Sequence, residues 1–99
     1  MRIISRKALR QFWSRDGSRD AEQGLRAWFG EARKAMWRKP QDVKALYRHA
    51  SIVANDRIVF NICGNKYRLI VAIKYSFGIV YVRFVGTHAQ YDAIDARRV

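Results

Sequence analysis

From residue 57 to residue 85 the chain reads RIVFNICGNKYRLIVAIKYSFGIVYVRFV, and this stretch decides the fold. Ile58, Phe60 and Ile62 alternate with Arg57, Val59 and Asn61. Tyr67, Leu69, Val71, Ile73 and Tyr75 alternate with Lys66, Arg68, Ile70, Ala72 and Lys74. A period of two places each set on one face of a strand. Gly64-Asn65 and Ser76-Phe77-Gly78 are turn segments. In Ile79 to Val85, Val80, Val82 and Phe84 oppose Tyr81 and Arg83. Three strands joined by two short turns predict an antiparallel meander.

On the N-terminal side the period changes to that of helices. Arg2-Ile3-Ile4 predicts a short opening strand, and Ser5 is a suitable N-cap for a helix reaching about Arg15, with Ala8, Leu9, Phe12 and Trp13 on one stripe. Asp16-Gly17-Ser18 ends it. Asp20 and Gln23 have capping-box spacing, and Ala21, Leu25, Trp28, Phe29, Ala32 and Met36 recur at three and four residues. Gly24 and Gly30 weaken the regularity of this second helix. Pro40 suits the first turn of a third, in which Val43, Leu46 and Tyr47 share a face. After Gly86, Thr87 and Gln90 again have capping-box spacing and predict a short last helix. Helices followed by strands predict an α+β fold: a small, antiparallel-dominated sheet with helices packed on one face.

The 99 residues are expected to form one domain, 1–99, because a chain of this length has no room for two independent cores. Twenty Lys and Arg face eight Asp and Glu, a net charge of +12, and arginine outnumbers lysine 14 to 6. That balance predicts a polyanionic or acidic partner. The first fifty residues carry 13 basic and five acidic side chains, the rest seven and three. No apolar run approaches membrane-spanning length, and the charged opening MRIISRK has no signal-peptide core, so a cytoplasmic protein without a membrane partner is expected. The single cysteine, Cys63, excludes an internal disulfide and a multi-cysteine zinc site. The carboxylates are scattered, with no cluster for a Mg²⁺ pair, and no phosphate-binding, dinucleotide-binding, zinc-protease or serine-hydrolase motif occurs. No metal and no cofactor is expected.

The strand alternation sends Lys66, Arg68 and Lys74 to the face opposite the helices, where Arg83 joins them if the register permits. On an open sheet face such cations would hold phosphates in fixed geometry. Arg57 and Asn61 are the neighbouring RNA-facing candidates on the preceding strand. His88, in the first turn of the last helix, precedes Tyr91 and Asp92. A histidine near a tyrosine and two arginines has the parts for RNA cleavage: one group takes the 2′-hydroxyl proton, another protonates the leaving 5′-oxygen, and arginines stabilise the crowded phosphate. His49 is read as a helix-terminus residue, and Cys63 as a small buried or half-buried one.

These segments resemble those of a known family. Ile58–Leu69 is similar to the pattern hFNigGNkyRl of the HigB bacterial toxins, and Val80–Asp92 resembles their ending, vYvRfvGTHaeYD. Ile3–Leu9 and Trp37–Lys44 fit as well, so the likeness runs in order along nearly the whole chain. Cys63 stands where the pattern has glycine, and Gln90 where it has an acidic residue. The family belongs to the RelE/ParE-like superfamily. The resemblance implies a small helix-flanked sheet and a metal-independent endoribonuclease that cuts mRNA, commonly on the ribosome. It further implies neutralisation by a HigA-like helix-turn-helix antitoxin in an oligomeric complex, the toxin alone being monomeric. Carried over by position, the matching residues are Arg68, Arg83, His88 and Tyr91, with Lys66 and Asn61 adjacent. The alternatives are a ParE-like toxin acting on a protein target such as gyrase, and a non-catalytic RNA-binding module.

Overall fold

The computed structural model describes residues 1–54 and 56–99. Chain order is β1 (Arg2–Ile4), α1 (Arg6–Trp13), α2 (Ala21–Lys34), α3 (Pro40–Leu46), β2 (Ser51–Ala54), β3 (Arg57–Ile62), β4 (Tyr67–Lys74), a 3₁₀ turn (Tyr75–Phe77), β5 (Ile79–Thr87) and α4 (His88–Asp92). The sheet order is β1-β5-β4-β3-β2. Among the described residues, β1 runs parallel to its neighbour, β5, and the other strand pairs are antiparallel. This is the expected α+β arrangement with the expected meander at its centre. The short edge strand β2 was not legible: its four residues are too few to establish a period, and pairing with β3 is what orders them.

β4 lies in the middle and is covered on both faces. Tyr67, Leu69, Val71 and Ile73 pack with Ile58, Phe60 and Ile62 against the helices, through Leu9 and Phe12 of α1, Leu25 and Trp28 of α2, and Val43 of α3. Trp28 and Phe60 meet edge to face, with ring centres 5.4 Å apart. The opposite face is not open. Ile70 and Val59 form a second apolar cluster with Ala96, joined by Phe84, Tyr91, Ile94 and Val99, so α4 and the chain after it lie across the sheet. Strand β4 therefore reads as a near-continuous apolar run, as strands buried on both sides do.

A bulge explains how Phe84 reaches that second cluster. Val71 pairs with Val82 but Ile70 pairs with Phe84, leaving Arg83 unopposed. One extra residue reverses the facing of all that follow. Phe84 thus leaves the side of Val80 and Val82 on which simple alternation puts it, and Val85 takes the helix side. Strict alternation cannot reveal a bulge, because the apolar pattern VYVRFV reads smoothly through it.

The helix ends follow their capping chemistry. Ser5 accepts a bond from the Ala8 N–H and opens α1, and Pro40 stands in the first turn of α3. Thr87 and Gln90 form the reciprocal box at α4: Gln90 N–H donates to Thr87 Oγ1 at 3.1 Å, and Thr87 N–H to Gln90 Oε1 at 2.9 Å. Asp20 differs, making no side-chain cap on α2; its carboxylate is taken by Lys66 and Tyr67 instead. Helix α2 stops at Lys34, so Met36 leaves the predicted stripe and is 77% exposed.

Gly24 has a packing reason. A β-carbon there would come within 2.9 Å of Ile62 Cγ2 and 3.0 Å of Cys63 Sγ, so glycine lets α2 approach the end of β3. Among the described residues, no helix is long and apolar enough to cross a membrane.

Candidate active site

The residues singled out on the strands converge at one end of the sheet, where the β3–β4 turn meets the start of α4. Asn61, Arg68 and Gly86 are cross-strand partners on β3, β4 and β5, and Tyr67 pairs with Thr87. The His88 N–H donates to the Lys66 carbonyl at 3.2 Å, which ties the first residue of α4 to the turn. The positions of His88 and Tyr91 therefore follow from strand register and the capping box.

Arg68 is the centre of this group. It is half-buried, and its Nη1 donates to the Asn65 carbonyl at 3.0 Å. Its guanidinium carbon lies 5.7 Å from the centre of the Tyr91 ring. Stacking on an aromatic face and a bond to a turn carbonyl fix a planar fork whose other N–H groups remain as donors. His88 Nδ1 is 3.2 Å from Asp92 Oδ2, one turn further along α4. A carboxylate beside Nδ1 leaves Nε2 as the ring nitrogen available for proton transfer. Asp92 is thus the residue whose part the spacing alone did not assign, although four-residue separation on a helix is its signal.

Gly86 makes the close packing here possible. It is buried, and a β-carbon would come 2.5 Å from Phe84 Cζ and 2.7 Å from Gln90 Oε1.

Other expected site residues lie elsewhere. Arg83, on the bulge, is exposed; its guanidinium carbon is 5.8 Å from the Tyr81 ring centre. It lines a groove with Gln11 of α1, Arg15 just beyond that helix, and Gln90 of α4. Helix α4 thus presents Tyr91 to Arg68 and Gln90 to the groove of Arg83. Arg57 and Lys74 are placed toward the other end of the sheet, where both bind Asp56, at 3.2 and 3.1 Å. Lys66 pairs with Asp20 instead of pointing across an open sheet face.

The Lys66–Asp20 pair joins the β3–β4 turn to the start of α2. The hydrogen bond from Lys66, then that from Tyr67, holds the Asp20 carboxyl below its ordinary range, and Lys66 is pushed up in turn. Cys63 is exposed, not buried; its Sγ lies 3.5 Å from the Asp20 carbonyl, as donor. Its φ of +54° is left-handed backbone, which favours glycine. His49 lies beyond the end of α3, and the carbonyls of this connection are held by Lys44, whose Nζ donates to Arg48 O at 2.7 Å and Ala50 O at 2.6 Å.

A mostly antiparallel sheet carrying three helices on one face is the RelE-like architecture. The HigB_toxin family, described as the RelE-like toxic component of a toxin-antitoxin system, matches residues 21–94, and the chain belongs to it. It is therefore a toxin whose biological partner is an antitoxin. A comparison with curated proteins finds no match.

Proposed function

We propose that this toxin is a metal-independent mRNA endoribonuclease that acts in the cytoplasm, on translating ribosomes, until a HigA-like helix-turn-helix antitoxin neutralises it. The observation that carries the reading is the stacking of Arg68 on Tyr91 and the pairing of His88 with Asp92 where the β3–β4 turn meets α4. Arg68 grips the scissile phosphate with its unoccupied N–H groups and stabilises the extra negative charge of the transition state. His88 Nε2 takes the 2′-hydroxyl proton. The 2′-oxygen then bonds to phosphorus while the bond to the 5′-oxygen breaks, leaving a 2′,3′-cyclic phosphate. The 5′-oxygen departs with a proton supplied by Tyr91 or by water. Arg83, on the far side of α4, contacts the RNA backbone further along the strand, and Asn61 contacts it beside Arg68.

The test is growth arrest and a map of new mRNA 5′ ends after induction, for the parent, Arg68→Ala and His88→Ala. Each substitution is expected to lower cutting by about 10²- to 10³-fold and to relieve arrest, with circular dichroism unchanged. Full toxicity in folded variants sinks the site. Arrest without new mRNA ends, accompanied by lost DNA supercoiling, replaces the ribonuclease with a ParE-like gyrase inhibitor. RNA binding without arrest leaves a non-catalytic module.

A further inference from the structure

On the Asn61 side of Arg68 a cavity of about 580 Å³ opens between the α3–β2 connection and the β3–β4 turn. Its volume lies within the range of small-molecule sites, about 300–1,000 Å³. Phe60, 1% exposed, supplies part of its apolar wall, and Leu46, half exposed, contributes another part. Asn61, Asn65, Arg48 and His49 bring polar groups to the same space. The pairing of β2 with β3 begins at Ser51 and Val59, so the outer edge of Phe60–Ile62 has no strand partner in this register.

Two features tie the cavity to Arg68. Asn61 is the cross-strand partner of Arg68. The Asn65 carbonyl accepts the Arg68 Nη1 bond at 3.0 Å. A phosphate held by Arg68 therefore has an attached nucleoside within reach of this cavity. The lining suits a nucleobase: apolar surface and an imidazole for its faces, carboxamides for its donor and acceptor edge. Lys44 fixes the connection by bonding to the carbonyls on either side of His49.

We infer that this cavity holds the base of the nucleotide adjoining the scissile phosphate of single-stranded RNA, with His49 as its stacking residue and the Asn61 and Asn65 amides reading its edge. Arg48, exposed at the rim, contacts the next phosphate. The inference rests on the ribonuclease reading for the identity of the substrate, but the pocket's binding is measurable without cleavage.

The four 5′-nucleoside monophosphates are titrated separately into the isotopically labelled purified chain, with NMR detection of the His49 ring and the Asn61 and Asn65 side-chain amides. At least one nucleotide is expected to give saturable shifts at all three residues. His49→Ala should weaken that binding by about 5- to 150-fold, the equivalent of one lost base-stacking contact, while His49→Phe, which keeps a ring, retains it. In the mRNA end map, His49→Ala should flatten the base preference at one nucleotide flanking the cut. Absent shifts, or shifts confined to the helical face, overturn the pocket even if mRNA is still cut. Nucleotide binding in the cavity of a chain that cuts no mRNA supports a nucleotide pocket and overturns its role in cleavage. Unaltered binding in both His49 variants removes His49 from it.

Discussion

Asp20 shows how one side chain can be claimed by tertiary structure. Its spacing to Gln23 suits a local capping box, yet its carboxylate binds Lys66 and Tyr67, 46 and 47 residues away. Two donors, one of them charged, outcompete a single main-chain N–H. Because the folded-state acidity lies below the ordinary value of 3.8, the stabilisation is complete above that pH and disappears as pH falls through the depressed folded value. Asp20→Asn should therefore lower the melting temperature at pH 7, with the gap to the parent closing below about pH 3.8. Thermal melts over pH 2–7 check this, and a gap independent of pH removes the ion pair as its cause. Arg68 was identifiable because it interrupts an apolar run, and its strand face followed from alternation. Its stacking on Tyr91 could not be read, because it depends on α4 folding back across the sheet.

At the scale of elements, the two glycines of α2 have opposite meanings that sequence does not distinguish. Gly24 faces Ile62 and Cys63 at less than normal contact distance for a β-carbon, whereas Gly30 has nothing within 4 Å. Gly30→Ala should stabilise the protein by roughly 0.5–1 kcal/mol, the ordinary helix-interior gain. Gly24→Ala should destabilise it by about 1–3 kcal/mol, because the added methyl forces α2 away from β3. Urea unfolding of both variants provides the comparison; stabilisation of similar size at both positions contradicts the close approach. The capping boxes illustrate the same divide. Thr87–Gln90 forms its reciprocal bonds, while Asp20–Gln23 yields to Lys66. The bulge at Arg83 belongs to this scale too, since only pairing with β4 shows which residue is unopposed.

For the whole molecule, charge is the dominant feature. The net +12 is unevenly divided, with the larger excess in the first fifty residues. The helical half therefore carries more positive charge than Arg68 and its neighbours need for chemistry. On the proposed ribonuclease reading, we assign that excess to docking on a polyanion such as ribosomal RNA, or on an acidic antitoxin surface. Binding of the purified toxin to ribosomal RNA should weaken with salt, log K falling against log salt with a slope of about −4 or steeper. Arg10→Ala and Arg33→Ala, both exposed on the helices, should each reduce that slope by about one. A slope shallower than about −2 would leave the excess charge without an electrostatic role in docking.

The sequence by itself determined the α+β class, the central meander, the helix starts at Ser5 and Pro40, and the terminal capping box. Each depends on spacing within a few residues, where period and cap chemistry act. It also marked Arg68, His88 and Tyr91 through local motifs and a family resemblance. Tertiary structure decided the rest: β2, the bulge at Arg83, the covering of the second sheet face, and the diversion of Lys66 to Asp20 and of Lys74 to Asp56. It also placed Arg83 in a groove apart from Arg68 and brought His49 and Asn61 to one cavity. These features depend on which distant groups compete for a strand edge, a carboxylate or an apolar face, and that competition exists only once the chain has folded.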